Sequence, residues 1–296
     1  MNVQRLRRVG LETGQLTDEE LRDIDTEIIE AANPQLHARE IFETETLPNA
    51  GIRSVRSFSQ TDMGPAIITM DGETLSIDQT SLTSGDVLVP VISKDFNLNW
   101  RDILAARHNN MPLDLDEGRN AARQVAEEEN KLLFTGEYTG WPAYGIEGLM
   151  TATGRNTQAS AGAWPANVVT DVNAGIAKLE EDGHTSGPYV LICRVAAARK
   201  LDAALSSTEI TYRRFLLQNE ILDAIVADDS IFGADGTTDH AAIVTPGRAN
   251  FSLKVGQDVT TWETQLQNMN KLMRVYEVLT PKIKRPTSIC ELTGLS

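Results

Sequence analysis

Between Pro112 and Gly136 apolar or small positions recur at three- and four-residue steps. Leu115, Gly118, Ala122, Val125, Glu129 and Leu132 fall on one side, and Arg119, Arg123, Glu127, Glu128 and Lys131 fall around the rest. The pattern predicts one long helix over 115–135. Asp114 is placed as its N-cap, Glu117 as the capping-box partner and Gly136 as the left-handed residue that stops it. At 1.5 Å per residue such a helix spans roughly 30 Å, the width of a small domain. Gly118, Ala121, Ala122 and Ala126 let neighbouring elements approach it closely. The rest of the chain is organised around this spine.

Upstream, Leu21, Ile24 and Ile28 form the apolar face of a helix that starts at Thr17, with Glu20 in its capping box, Leu16 and Leu21 as a hydrophobic staple, and Asn33-Pro34 as its end. Its Asp18, Glu19, Glu20, Asp23, Asp25 and Glu27 read as a solvated face. From Leu47 to about Asp86 helical periodicity gives out, and Gly51, Gly64, Gly72 and Gly85 punctuate short β-rich pieces such as Ala66–Met70. A two-stranded hairpin is marginal alone in water, so a projecting one needs a neighbouring molecule to lie on. Val87–Ile92 predicts a buried strand with Pro90 at an edge or bulge. Phe96, Leu98 and Trp100 alternate into a short helix over Arg101–Arg107.

Beyond the spine, Gly136–Gly162 reads as a connector that carries Ile146–Leu149 beside the core. Val169, Val172, Ile176 and Leu179 predict a helix closed by Gly183, and Pro188–Cys193 a buried strand. Ala196–Leu205 and Arg213–Ile225 predict helices; Ala241–Thr245 and Phe251–Val255 predict strands. Residues 165–265 thus form an α+β lobe. Leu272–Thr280 alternates, with Met273, Val275, Glu277 and Leu279 on one face, and Pro286–Leu292 adds a last strand.

Composition narrows the function classes. With 296 residues, 41% hydrophobic and 23% charged, the chain can bury a sizeable core in one elaborate domain or two compact ones. No apolar run reaches the ~18 residues that cross a bilayer, so no membrane partner is expected, and Met1–Arg8 has no apolar signal core. A net charge of −15 argues against a generic nucleic-acid binder but is compatible with a wall that encloses nucleic acid without gripping it. Cys193 and Cys290 sit in apolar, strand-like surroundings and read as buried thiols.

Candidate chemistry is sparse. The histidines His37, His108, His184 and His240 stand at no metal-ligand spacing. Asp114-Leu-Asp116-Glu-Gly118 lacks the third ligand and distal Glu of a calcium loop and serves better as a helix start. Asp235, Asp239 and His240 form the most metal-like cluster, which an exposed turn between strands explains as well; an enzyme working through them is the reading from another class. There is no Gly-rich phosphate loop and no nucleophile elbow. No catalytic residue, cofactor or metal is assigned, and the chain is not expected to be an enzyme.

Several stretches in order resemble a known family. Leu16–Asp25, Leu88–Asp102, Met111–Asp114 running into Ala126–Gly136, Tyr144–Leu149, Gly187–Leu191 and Val255–Val259 are similar to segments of tailed-phage major capsid proteins, in the subfamily closest to encapsulins. The resemblance implies an α+β, HK97-like capsid fold: an N-terminal arm and helix over 1–35, an extended loop over 53–87, and a peripheral domain with the long spine helix over 36–52, 88–164 and 266–296. The axial domain would occupy 165–265. Arm and loop would then clamp neighbouring subunits. The interface residues implied are Arg5, Arg7 and Arg8 in the arm, with Arg53, Arg56, Phe58, Ile67, Ile68, Met70, Leu75 and Ile77 in the loop.

On that resemblance the chain is expected to be a phage major capsid protein, assembled in the host cytoplasm from hexamers and pentamers into an icosahedral virion head around double-stranded DNA, without sequence-specific contact. Portal, scaffold and decoration proteins would be its further partners. The alternative is an encapsulin shell loaded with a cargo enzyme, whose cargo peptide would dock around the Leu21–Ile28 helix. Some relatives weld subunits through a loop lysine, but no Lys lies between Thr44 and Ser93. A cross-link of that origin is therefore not expected, and subunit bonds that survive boiling in detergent would contradict this.

Overall fold

A computed structural model of the chain describes residues 16, 18–33, 36–60, 70, 82–109, 115–136, 144–183, 187–205, 210–231, 240–265 and 270–295. In chain order the elements are α1 (Asp18–Ala32), a 3-10 turn (His37–Glu40), β1 (Glu43–Thr46), β2 (Ser54–Gln60), β3 (Leu82–Leu88), β4 (Val91–Leu98), α2 (Trp100–Asn109) and α3 (Asp116–Phe134). Then follow β5 (Asn156–Ala159), α4 (Val168–Glu181), β6 (Val190–Cys193), α5 (Val195–Lys200), α6 (Tyr212–Gln218) and β7 (Ala224–Ala227). The last strands are β8 (His240–Val244), β9 (Phe251–Gln265), β10 (Lys271–Ile283) and β11 (Ile289–Thr293).

The spine is α3, and the whole expected stripe is buried, Glu129 included. A Cβ on Gly118 would come 3.2 Å from the Phe96 ring and 3.6 Å from Ile28 Cδ1, so the missing side chain is what lets β4 and α1 close on the helix. At its C-terminus Gly136 takes φ +75° and donates its N–H to Leu132 O at 2.9 Å. A Cβ there would fall 2.3 Å from Gly148 N, because the following connector returns to pair Leu149 and Met150 N–H with the carbonyls of Leu133 and Phe134. The N-terminus differs from expectation. The helix begins at Asp116, and the N-cap position is Leu115, which makes no side-chain cap; Asp114 lies outside the described residues.

Two sheets share the spine. The four-stranded sheet has order β1-β9-β10-β4, with β1 parallel to β9 and the other pairs antiparallel. The N-terminal half of α3 packs between this sheet and α1, where Ile24, Ile28, Phe96, Leu98, Val125 and Met273 form one core. The five-stranded sheet has order β5-β11-β8-β6-β7. Leu132–Phe134 of α3 join Phe251, Leu279, Ile192 and Val244 in a second core common to both sheets, and a third core lies between the five-stranded sheet and α4. Cys193 and Cys290 are free thiols within it, with burial pushing each up to about 12.

Several local expectations need correcting. Val87–Ile92 is not one buried strand: Pro90, with no N–H to offer a ladder, separates β3 from β4, and Leu88 and Val91 are exposed while Val89 is buried. The helix expected over 213–225 stops at Gln218, Glu220 takes φ 54°, and Ala224–Ala227 is β7, parallel to β6. The helix over 196–205 is cut short at Lys200. Trp100 opens α2 rather than ending the strand. The strand at 251 runs on to Gln265, paired with β10 on both sides of two register shifts, between Tyr276 and Val278 and between Val278 and Leu279. The division expected at residue 265 therefore does not follow sheet membership, since β9 lies in the four-stranded sheet and β11 in the five-stranded one.

Candidate assembly surface

The glycine-punctuated excursion forms a two-stranded ribbon. β2 and β3 pair antiparallel from Ser54↔Leu88 at the base to Gln60↔Leu82, and they join neither larger sheet. Such a ribbon is favoured here because Val55, Phe58, Val87 and Leu88 prefer extended backbone. Arg53, Ser54, Arg56, Gly85 and Asp86 are exposed. Val89 N–H donates to Arg53 O, which closes the ladder at its base, and Lys282 Nζ of β10 donates to Arg56 O at 3.4 Å.

Two charge clusters flank the four-stranded sheet. In the first, Arg39 from the 3-10 turn donates to Glu129 of α3 at 2.7 and 2.9 Å, to Asp258 of β9 at 2.9 Å, and to Glu277 of β10 at 3.4 Å. Glu129 and Glu277 are fully buried. Burial works to lower the Arg39 pKa, but the hydrogen bond and charge of Glu129, with Glu277 and Asp258, outweigh it and hold the guanidinium firmly charged. Burial, and then the charge of Glu129, push the Glu277 carboxyl well above its ordinary range.

The second cluster inverts the first. Glu45 of β1 accepts from Lys284 at 3.0 Å and Arg248 at 3.2 Å, and is also bonded to Lys254. Burial opposes its ionisation, yet the bonds from Lys254, Ser252, Lys284 and Arg248 hold the carboxyl far below its usual range. Lys282, two residues before Lys284, is a fourth cation beside them. Its pKa is lowered by burial and then by Lys254 and Lys284.

A hollow of about 400 Å³ opens between the spine and β7, with His37, Asn130, Lys131, Asp228, Asp229 and Ser230 in its lining beside Val195 and Ala227. His37 Nδ1 lies 2.8 Å from Asp228 Oδ2, which also accepts from Asn130 Nδ2 at 3.1 Å, while Asp228 Oδ1 accepts Ser230 N–H. These contacts tie the 3-10 turn, the spine and the end of β7 together. Elsewhere His240 lies 2.8 Å from Glu291 on the facing strand, and Arg155 binds the other oxygen of that carboxylate at 2.6 and 2.8 Å. His240 is thus part of a buried charge network; Asp235 and Asp239 lie outside the described residues. Among the described residues no group of three or more His, Cys, Asp or Glu is placed to hold a metal ion, and no helix is long and apolar enough to cross a membrane.

Of the expected interface residues, Arg53 stands at the ribbon base and Arg56 faces Asp86 across the ladder at 3.4 Å. Phe58 lies within β2, in register with Ser84, and Met70 is fully exposed. Arg5, Arg7, Arg8, Ile67, Ile68, Leu75 and Ile77 lie outside the described residues. Sequence reasoning missed both charge clusters. One signal was present: Glu129 and Glu277 each occupy an apolar stripe, and a charge at a core position demands a partner. The partner, Arg39, stands 90 residues from Glu129, beyond the reach of any periodicity.

Comparison with known proteins bears on this arrangement. A family model described as "Encapsulating protein for peroxidase" matches residues 9–280. The type 1 encapsulin shell protein EncA of Myxococcus xanthus is 30% identical over 286 residues, covering 94% of each chain. The diheme-cytochrome-encapsulin shell fusion protein of Kuenenia stuttgartiensis is 29% identical over 206 residues, covering 68% of this chain and 53% of that one. Among solved structures, a virus-like particle from Pyrococcus furiosus superposes with a TM-score of 0.67 at 17% identity, covering 93% of this chain and 98% of its own. The capsid of Myoviridae phage XM1 gives 0.67 at 13%, covering 86% and 90%. The fold is therefore the HK97-like capsid fold.

Proposed function

Because this chain belongs to the family of encapsulating proteins for peroxidase, we propose that it is the shell subunit of an encapsulin-type compartment, self-assembling in the cytoplasm around an enzyme cargo such as a peroxidase. The observation that carries the reading is the family match across residues 9–280, which spans the ribbon, the spine, nearly all of the four-stranded sheet and every strand of the five-stranded sheet but β11. The ribbon gives it a physical basis. Paired only with itself, it needs a second surface to be stable, and repeated copies of the same subunit supply that surface by symmetry. Arm, ribbon and the residues expected in them, from Arg5 to Ile77, act as intersubunit clamps.

The phage-head reading remains the second one. The fold likeness to the XM1 capsid favours it, but at 13% identity that likeness extends to architecture alone, and the relatives of higher identity are encapsulin shells. Purification from cells followed by negative-stain microscopy tests both. Closed particles with a co-purifying enzyme and no nuclease-protected DNA are expected. Particles full of protected DNA would establish the head instead, and a monodisperse monomer would overturn the shell reading altogether.

A further inference from the structure

We propose that Lys282 is the lysine of this chain that acyl phosphates modify, its amine taking the acyl group while the cations beside it hold the phosphate. The sequence has eight lysines, and all lie among the described residues. Five hold a carboxylate: Lys131 that of Glu128, Lys178 that of Glu181, Lys271 that of Glu263, and Lys254 and Lys284 together that of Glu45. An acidic partner keeps an ammonium protonated, and a protonated amine has no electron pair to give. Lys94, Lys200 and Lys282 make no ion pair among the described residues. Of these three, Lys282 is the one that stands beside Arg248, Lys254 and Lys284.

Strand register puts it there. Ser252 pairs with Lys282 and Lys254 with Thr280, so alternation sets Lys254 and Lys282 on one face of the sheet, a diagonal step apart. Burial, then the charges of Lys254 and Lys284, lower the Lys282 pKa, and Glu45 offsets them only in part. More of this amine is therefore neutral at a given pH than of an ordinary lysine. Its Nζ donates to the Arg56 carbonyl at 3.4 Å, a bond that a neutral amine can also make with its electron pair left over.

The same cations select the donor. An acyl phosphate is an anion whose carbonyl carbon lies next to its phosphate. The Arg248 side chain is 68% exposed and has N–H groups beyond the one it gives Glu45, and a guanidinium suits phosphate oxygens. Phosphate held there brings the acyl carbon to Lys282. The amine attacks that carbon: an N–C bond forms, the bond from carbon to the bridging oxygen breaks, and phosphate leaves with the electron pair. Of the two protons the ammonium loses, one goes to solvent and one to the phosphate. The product is a neutral amide, so the cluster loses one positive charge.

Incubating the full-length chain with acetyl phosphate, with acetylation read at each lysine by mass spectrometry, tests this. Lys282 is expected to react first, about fivefold or more ahead of Lys94, the exposed lysine that access alone would favour. Added inorganic phosphate is expected to slow Lys282 several-fold and to leave Lys94 and Lys178 unchanged. Arg248→Gln, which alters an exposed side chain, is expected to do the same. With a neutral reagent, the N-hydroxysuccinimide ester of acetic acid, both of these effects on Lys282 are expected to vanish. Lys94 or a carboxylate-bound lysine reacting ahead of Lys282 would overturn the site. A Lys282 lead that neither phosphate nor Arg248→Gln diminishes, or slowing that persists with the neutral reagent, would overturn phosphate capture by the cluster.

Discussion

The Arg39 and Glu45 clusters are inversions of each other on one sheet. One cation is held by three carboxylates, two of them fully buried; one carboxylate is held by three cations, with a fourth, Lys282, half-buried beside them. Position decides what each can do. In the first, every charge is fixed by elements far apart in sequence, the 3-10 turn, α3, β9 and β10, so the cluster locks the body of the subunit. In the second, Lys282 stands half-buried beside the other cations and donates to the Arg56 carbonyl. Buried charge joins elements across the fold, and the more open cluster ties β1 to the β9–β10 end of its own sheet.

The sharpest way to break this comparison is Arg39→Ala, which leaves Glu129 and Glu277 buried without their cation. It should cost about 3–5 kcal/mol of stability, seen as a drop in Tm of the unassembled subunit. Next comes Glu277→Gln. A carboxyl whose folded pKa is raised contributes stability that is full below its ordinary range and lost as pH rises through the folded value. The variant should therefore match wild type near pH 4 and become the more stable of the two as pH rises, in paired melts across pH. On the other side, Glu45→Gln should lower stability by about 1–2 kcal/mol at neutral pH. Because that pKa is depressed in the fold, the deficit should close as pH falls below the ordinary carboxylate range. The smallest effect belongs to the ribbon: Arg56→Ala removes an exposed pair with Asp86 and should change urea unfolding of the unassembled subunit by about 0.5 kcal/mol or less.

What the sequence made legible follows the same division. The spine could be read because its stripe, from Leu115 to Leu132, repeats at helical spacing and Gly136 marks its end. β6 showed as an apolar run and β10 as an alternation whose Met273, Val275, Glu277 and Leu279 are all buried. β7 was hidden because Ile221, Leu222 and Ile225 continue the spacing of α6, and only pairing with β6 makes Ala224–Ala227 a strand. The far half of β9 carries Thr260, Thr261, Trp262 and Glu263, which favour extended backbone but lack the apolar alternation that marks a strand, and the β10 ladder is what extends the strand through them. Of the assembly surface, the ribbon could be anticipated from its glycines and lost periodicity. The clusters could not, since Glu45 meets partners 203, 209 and 239 residues away.

β11 lies between β5 and β8, parallel to one and antiparallel to the other, and the two reach each other only through it. During synthesis, Asn156–Ala159 and His240–Val244 emerge long before the residues at 289–293 that join them. A nascent subunit consequently carries an open slot while its spine and ribbon have already left the ribosome, and it becomes a finished building piece only when that slot is filled. The five-stranded sheet thus closes only after β11 has been made.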